Sequence, residues 1–408
     1  MSGGVENAEE AKAAKRRGSA KRRGSAKHRG SAKRGRADLA VTAAQAAAFR
    51  LARHRLTGNA ESADSVADVV RASAGIQAQV QSSAEMAIWT RRRITTREDV
   101  RRALWETRDL VKTSAMRNTL HVIPARDFAV YIAAMRPSSM AMLARWHARI
   151  GATPDQVQAL VETIVDSVAD GPRTQQELIA RAKKRSGVAI RKWLDHAWSG
   201  VRPAVIEGAI LYGPPRGPAA TFVRAETWLG PQRAPSLEAA RTELLRRFLA
   251  AFGPATAHDF SKWSGLSMRD ARAAVDAARG ELLQVSVDGA PGLIRSADAR
   301  ALKASELDPD AVRLLGPFDS FLLAHATKEH LVAARDYKRV YRPQGWISAV
   351  VLRGGRIIGV WTARATARTI AIEVELFGRA NAAVRRAIAR DVEEMSAFLE
   401  AETVARFV

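Results

Sequence analysis

The sequence predicts a mainly helical α+β protein, three tandem winged-helix units followed by a C-terminal α+β piece. Three observations predict it. Apolar residues recur at helical spacing through most of the chain, each helical stretch leads into a short pair of strands, and that order repeats in kind three times. The C-terminal part departs from this pattern, with short apolar strands set around turns.

The first unit, residues 41–124, has apolar periodicity suited to helices near 42–57 and 62–74. A third helix, near 83–93, is expected to open on a capping box of Ser82 and Glu85, and a fourth, about 96–107, on Thr95 and Glu98. That fourth helix puts Val100, Ala103, Leu104 and Thr107 along one face. The chain then turns extended through LVKTSAM (110–116) and TLHVI (119–123), which completes a helix, helix, hairpin order.

The second unit, 125–230, contains a helix opened by Thr174 and Glu177, a helix over 188–199, and a wing formed by AVIEGAILYG (204–213) and AATFVRA (219–225). The third, 231–298, has helices near 235–252, 256–264 and 267–278, then strands LLQVSV (282–287) and GLI (292–294). In the last region, 299–408, RLLGPFDSFLLAH (313–325) and WISAVVLRGGRIIGVWTAR (346–364) are expected to be strands. Gly354-Gly355, flanked by Arg353 and Arg356, is a strong hairpin signal. The hairpin is either an ordinary surface turn or one that contacts DNA.

Composition narrows the function. With 408 residues the chain exceeds one small domain. Lys and Arg outnumber Asp and Glu by 65 to 42, which points to a polyanionic partner, and no apolar run approaches the ~20 residues of a membrane span. Nucleic acid is therefore the expected partner. The absence of cysteine removes disulfides, thiolate metal sites, iron–sulfur clusters and a cysteine nucleophile together. No spaced His, Asp and Glu set suggests a metal centre, and no Gly-rich phosphate loop precedes a helix, so no cofactor is expected. Without the apolar core of a secretory signal, the protein is expected in the cytoplasm, on the nucleoid.

Residues 1–40 read as a disordered basic tail. KRRGSA occurs at 15–20 and 21–26 and KHRGSA at 27–32, and residues 1–36 carry 12 Lys/Arg against 3 Asp/Glu. A Gly/Ser-punctuated run of like charge has too little apolar surface to fold. Lys15, Arg16, Arg17, Lys21, Arg22 and Arg23 are expected to attract phosphates without reading bases; a solubility tail is the alternative.

The most informative stretch is Gly75-Ile76-Gln77-Ala78-Gln79-Val80-Gln81. Gly75 is placed to stop the preceding helix. Beyond it, Ile76, Ala78 and Val80 alternate with three glutamines, so an extended backbone points the amides to one side. On a helix, Gln77 and Gln79 would diverge by about 200°. An amide donates and accepts hydrogen bonds but does not titrate, so a pair of them can orient a water without deprotonating it. That is enough only for a substrate already poised to break, such as an N7-alkylated purine with its cationic base. Taken alone, the same pattern also describes a polar strand or loop face.

Five segments together, GIQAQVQSSAEMAIWTR (75–91), TSAMRNTLHVIPARDF (113–128), AFGPATAHDFSKWSGL (251–266), LLGPFDSFLLAH (314–325) and VVLRGGRIIGVW (350–361), resemble the AlkZ/YcaQ superfamily of winged-helix DNA glycosylases. The resemblance runs from about Thr42 almost to the C-terminus. It implies winged helices in a C shape around a concave basic DNA channel, and a monofunctional glycosylase that excises N7-alkylated purines, including bulky monoadducts and interstrand crosslinks, from double-stranded DNA. It also implies a monomer. The catalytic Gln-x-Gln of the AlkZ branch falls on Gln77 and Gln79, whereas the YcaQ branch carries Gln-x-Asp. This chain departs from the family at Asn118, where Gly is frequent, and at Gln81, where Pro is frequent.

By the same resemblance Arg117, Thr119 and His121 line the channel near the glutamines, with a hydrogen-bonded wing histidine as the alternative for His121. His258 and Asp259 fit a helix cap better than a metal site. Asp319 belongs to a family signature without an evident chemical role. The rival function is a non-catalytic winged-helix regulator whose glutamines contact bases; an architectural protein dominated by its tail is a third.

Overall fold

A computed structural model describes residues 38–57, 64–185, 190, 191, 194, 200–365 and 369–408. The basic tail with Lys15, Arg16, Arg17, Lys21, Arg22 and Arg23, and most of the helix expected over 188–199, lie outside the described residues. Within 37–408 the fold is α+β.

Strand β1 (Leu39–Val41) leads into α1 (Ala43–Arg53), α2 (Val66–Ala72), β2 (Ile76–Gln77), α3 (Gln81–Arg91), α4 (Arg97–Trp105) and the hairpin β3 (Leu110–Ser114) and β4 (Leu120–Pro124). Helices α5 (Phe128–Arg149) and α6 (Pro154–Ser167), strand β5 (Arg173–Thr174), and helices α7 (Gln175–Arg185) and α8 (Arg202–Glu207) precede the hairpin β6 (Ile210–Arg216) and β7 (Ala219–Arg224). Next come α9 (Leu237–Phe252), α10 (Ala257–Ser264), α11 (Met268–Ala277) and the hairpin β8 (Leu282–Val287) and β9 (Ala290–Arg295). The last region holds β10 (Val312–Leu315), β11 (Ala349–Arg353), β12 (Arg356–Ala365), β13 (Thr369–Leu376), α12 (Ala382–Leu399) and β14 (Glu402–Phe407).

The sheets cut across the sequence divisions. One six-stranded sheet runs β2-β4-β3-β6-β7-β5, joined in its middle where Lys112 of β3 pairs with Tyr212 of β6. In another, β1 from the start of the described chain pairs in parallel with β8. The C-terminal sheet, β10-β11-β12-β13-β14, ends on a parallel pair, β13 with β14, connected through α12.

Several local expectations need correction. Helix α3 starts at Gln81, and no side chain caps it, so Ser82 and Glu85 lie inside the helix and form no box. The cause is upstream: the Ala78 amide still bonds the Leu120 carbonyl at 2.7 Å, and the chain coils as soon as that pairing ends. The box of α4 uses Thr96 and Asp99, because Thr95 is buried, with its hydroxyl taken by Arg92 at 3.1 Å. Thr174 and Glu177 do cap each other, at 2.7 and 3.3 Å. The stretch 204–213 is helical in its first half, with Pro203 in the first turn and Gly208, at φ +75°, ending it against Ile132. In 313–325 the strand stops at Leu315, because Pro317 removes a backbone donor and Phe318 adopts φ +59°.

The largest core centres on α9 and α10, where Phe248, Phe252, Phe260 and Trp263 pack ring against ring, with the Phe248 and Trp263 centroids 5.1 Å apart. No helix among the described residues is long and apolar enough to cross a membrane.

Candidate active site

Gly75 sets the geometry of the motif. Ala74 and Gly75 both take left-handed φ, +51° and +91°, and turn the chain out of α2. A Cβ at Gly75 would stand 3.1 Å from Ile123 Cγ2 and 3.2 Å from Met116 Cε, so glycine answers both the φ and the space. Extended backbone follows. Ile76 pairs with Val122 and Gln77 with His121, while Ile76 and Ala78 bury completely against Val69, Val100 and Leu104. The period of two thus sends the apolar members into a core and leaves Gln77 and Gln79 across from it.

Both of these amides meet the β3–β4 turn. Gln77 is only 8% exposed, and its Oε1 accepts from Arg117 Nη2 at 3.1 Å. Gln79 is exposed, and its Oε1 receives the Leu120 amide at a long 3.4 Å. Neither side-chain nitrogen has a hydrogen-bond partner among the described residues, so four N–H donors remain available. The third glutamine leaves the set. Gln81 opens α3, accepting from Lys112 Nζ at 2.9 Å and donating to Glu85 at 3.2 Å.

Arg117 holds Gln77 from a strained turn. Arg117 and Asn118 sit at φ +55° and +57°, a conformation that costs a non-glycine residue about 1–2 kcal/mol. The strain is opposed by a clamp: the guanidinium donates to the Trp263 carbonyl as well as to Gln77. Gly265 completes the joint, since a Cβ there would stand 3.0 Å from Arg117 Cα. Burial lowers Arg117 to about 10, so it stays a cation near neutral pH. Lys328, half-buried, is pushed down to about 8 by desolvation and then by Arg117.

His121 is 2% exposed, and its Nδ1 lies 3.0 Å from the Thr119 carbonyl, which fixes Nδ1 as the protonated nitrogen. Burial, then Arg117, pushes its pKa down to about 3, so the ring is neutral. Thr119 is half-buried and donates to the Met116 carbonyl at 3.1 Å. Among the described residues no carboxylate hydrogen-bonds Gln77 or Gln79, and no group of three or more His, Asp or Glu could hold a metal ion. Chemically, the pair can position a water and cannot ionise it.

Two supports come from far along the chain. Ser320 donates to the Gly75 carbonyl at 3.1 Å, and Asp319 takes a bidentate pair of bonds from Arg91 of α3. The PFDS segment therefore fixes the motif on both flanks. Sequence reasoning singled out Asp319 without finding this partner, and it missed Arg91, Ser320 and Lys328, for which no local pattern is a signal. Arg353 and Arg356 hydrogen-bond no residue of the glutamine site. Arg353 pairs with Asp310 at 2.6 Å, Arg356 is exposed, and the Gly354-Gly355 turn packs on Pro309 and on Ala47 and Leu51 of α1. His258 and Asp259 lie in the first turn of α10, where Asp259 forms a capping box with Thr256.

The sequence model of a family described as "DNA glycosylase AlkZ-like" matches residues 70–398. An interstrand DNA cross-link repair glycosylase of Streptomyces sahachiroi is 33% identical over 326 residues, 78% of this chain and 86% of that protein. The solved structure of Streptomyces sahachiroi DNA glycosylase AlkZ is similar with a TM-score of 0.81 at 28% identity, over 91% of this chain and all of that one.

Proposed function

The chain belongs to the AlkZ-like family of DNA glycosylases, and from that premise we propose that it excises N7-alkylated purines from duplex DNA, with Gln77 and Gln79 holding the attacking water. The observation that carries this reading is the Arg117–Gln77 bond: it fixes one amide while the carboxamide of Gln79, held by a single long contact, stays adjustable. A water between them attacks C1′ as the C1′–N9 bond breaks. The bonding electrons go to the departing base, which leaves neutral, and the water's proton passes to solvent, giving an abasic site.

With no carboxylate on the amides, little stabilises the sugar's developing positive charge except amide dipoles and the DNA phosphates themselves. Cationic Arg117 and Lys328 suit those phosphates. The substrate must then bring its own leaving-group activation, which N7 alkylation supplies. The named activity of the Streptomyces sahachiroi relative extends the proposal to unhooking interstrand crosslinks. The helix, helix, hairpin sets are proposed to act as winged helices that frame a basic channel, lined near the glutamines by Arg117 and Thr119, with the enzyme acting as a monomer in the cytoplasm. His121 supports the turn from within. Family membership does not favour the alternative of a non-catalytic regulator.

The test is release of N7-methylguanine from a methylated duplex by the Gln77→Ala/Gln79→Ala double variant. Removing positioned hydrogen-bonding groups typically costs ~100-fold or more in turnover. Excision should fall at least that far while duplex affinity stays within about 3-fold. Excision retained at the wild-type rate would overturn the assignment.

A further inference from the structure

The hydrogen bonds around the glutamine pair engage its carbonyl oxygens and leave its nitrogens open. Gln77 Oε1 accepts from Arg117 and Gln79 Oε1 from the Leu120 amide, so the groups turned toward a water are N–H donors. Donors hold a water by its lone pairs. A nucleophilic water needs the reverse as well: an acceptor must take one of its hydrogens so that a lone pair is left for C1′. Each carbonyl keeps a second lone pair, but that of Gln77 already serves a cation, and that of Gln79 faces the Leu120 amide.

Gln79 lines a small cavity of about 30 Å³, together with Ser114 and Asn118 of the β3–β4 hairpin and with Arg202 and Tyr212 from α8 and β6. That is room for about one water. Asn118 Oδ1 is a buried acceptor with no hydrogen-bond partner among the described residues. Its Nδ2 is turned to Met142 Sδ, at 3.8 Å, which sends the oxygen the other way. Arg202 steadies the residue by donating to its main-chain carbonyl at 3.4 Å. The left-handed φ of +57° does not explain the side chain, since glycine takes that backbone freely and brings no acceptor that needs a partner. Ser114 carries a hydroxyl, which donates as readily as it accepts and so does not by itself set which way a water faces.

We propose that Asn118 is a third amide of the excision centre: its Oδ1 accepts a hydrogen from the water that Gln79 Nε2 holds at this cavity, and so aims the remaining lone pair at C1′. The C1′–O bond forms as the C1′–N9 bond breaks, and the electrons of the broken bond leave with the base. Asn118 takes no proton. An amide only orients the hydrogen, which passes to solvent after the attack. The inference rests on the reading of Gln77 and Gln79 as the excision centre.

The experiment measures single-turnover excision of N7-methylguanine from a methylated duplex by Asn118→Gly, Gln79→Ala and the double variant. Glycine suits the left-handed turn, so the backbone is kept while the amide is lost. The rate of Asn118→Gly should fall about 10-fold, the scale of one hydrogen bond, with duplex affinity within about 3-fold of wild type. In the Gln79→Ala background the same substitution should cost less than about 2-fold, because two groups that hold one water are not additive. Asn118→Asp, which keeps an oxygen in the same place, should recover most of the loss. A rate unchanged in Asn118→Gly, a loss by the same factor with and without Gln79, or a loss in Asn118→Asp as deep as in Asn118→Gly overturns the inference while leaving the excision centre standing. Gln79→Ala that excises at the wild-type rate overturns the excision reading and this inference with it.

Discussion

Arg91 and Asp319 form a bidentate ion pair, at 2.7 and 2.8 Å, with both side chains fully buried although they stand 228 positions apart in sequence. Arg91 also donates to the Ala87 carbonyl at 2.8 Å, and one nitrogen lies 3.3 Å from His54 Nδ1. The pair ties the end of α3, the helix that follows the glutamines, to the segment whose Ser320 holds Gly75.

Removing one partner of such a pair strands a desolvated charge, which costs roughly 3–5 kcal/mol. Asp319→Ala is therefore predicted to lower unfolding free energy by about that amount in a denaturant titration. A loss under about 1 kcal/mol, the level of an exposed pair, would contradict the burial argument.

Arg117 is predicted to act through Gln77 on turnover more than on binding. Lysine keeps the charge but presents a single ammonium, which cannot reproduce the planar fork that reaches both Gln77 and the Trp263 carbonyl. Arg117→Lys should reduce single-turnover excision by about 10-fold and change KM by less than about 3-fold. A KM effect larger than the kcat effect would assign Arg117 to phosphate binding alone.

Acid should destabilise the fold through its buried histidines. Burial pushes His121 and His330 down to about 3, and His54 and His325 well below their ordinary value. Below pH 6.5 the unfolded chain binds protons that the folded one refuses, so stability is lost as pH falls from 6.5 toward 3. For fully buried His121 this amounts to up to about 2 kcal/mol by pH 5. The melting temperature should drop between pH 7 and pH 5, and His121→Gln should make that drop shallower; an identical slope in the variant would refute the assignment.

What was legible in the sequence was local. The alternation of Ile76, Gln77, Ala78 and Gln79 after Gly75 specifies an extended segment with its amides on one side, because strand periodicity and the left-handed turn are properties of neighbouring residues. The same holds for the Gly354-Gly355 hairpin and the Thr174–Glu177 cap. Cap choice already failed where burial intervened: Thr95 is turned inward, and Thr96 replaces it.

Tertiary structure decided everything that depends on residues meeting across the chain. Gln81 matches its two neighbours in sequence, yet strand pairing ends at Ala78 and Lys112 and Glu85 take its amide. Arg117 could have been any basic residue of a turn until Trp263 and Gln77 fixed its guanidinium. Asp319 carried a recognisable motif and no discernible partner, since an ion pair spanning 228 positions leaves no periodicity to read. By itself the sequence determined which backbone the two glutamines ride on; packing determined which charge holds one of them and what stands beside them.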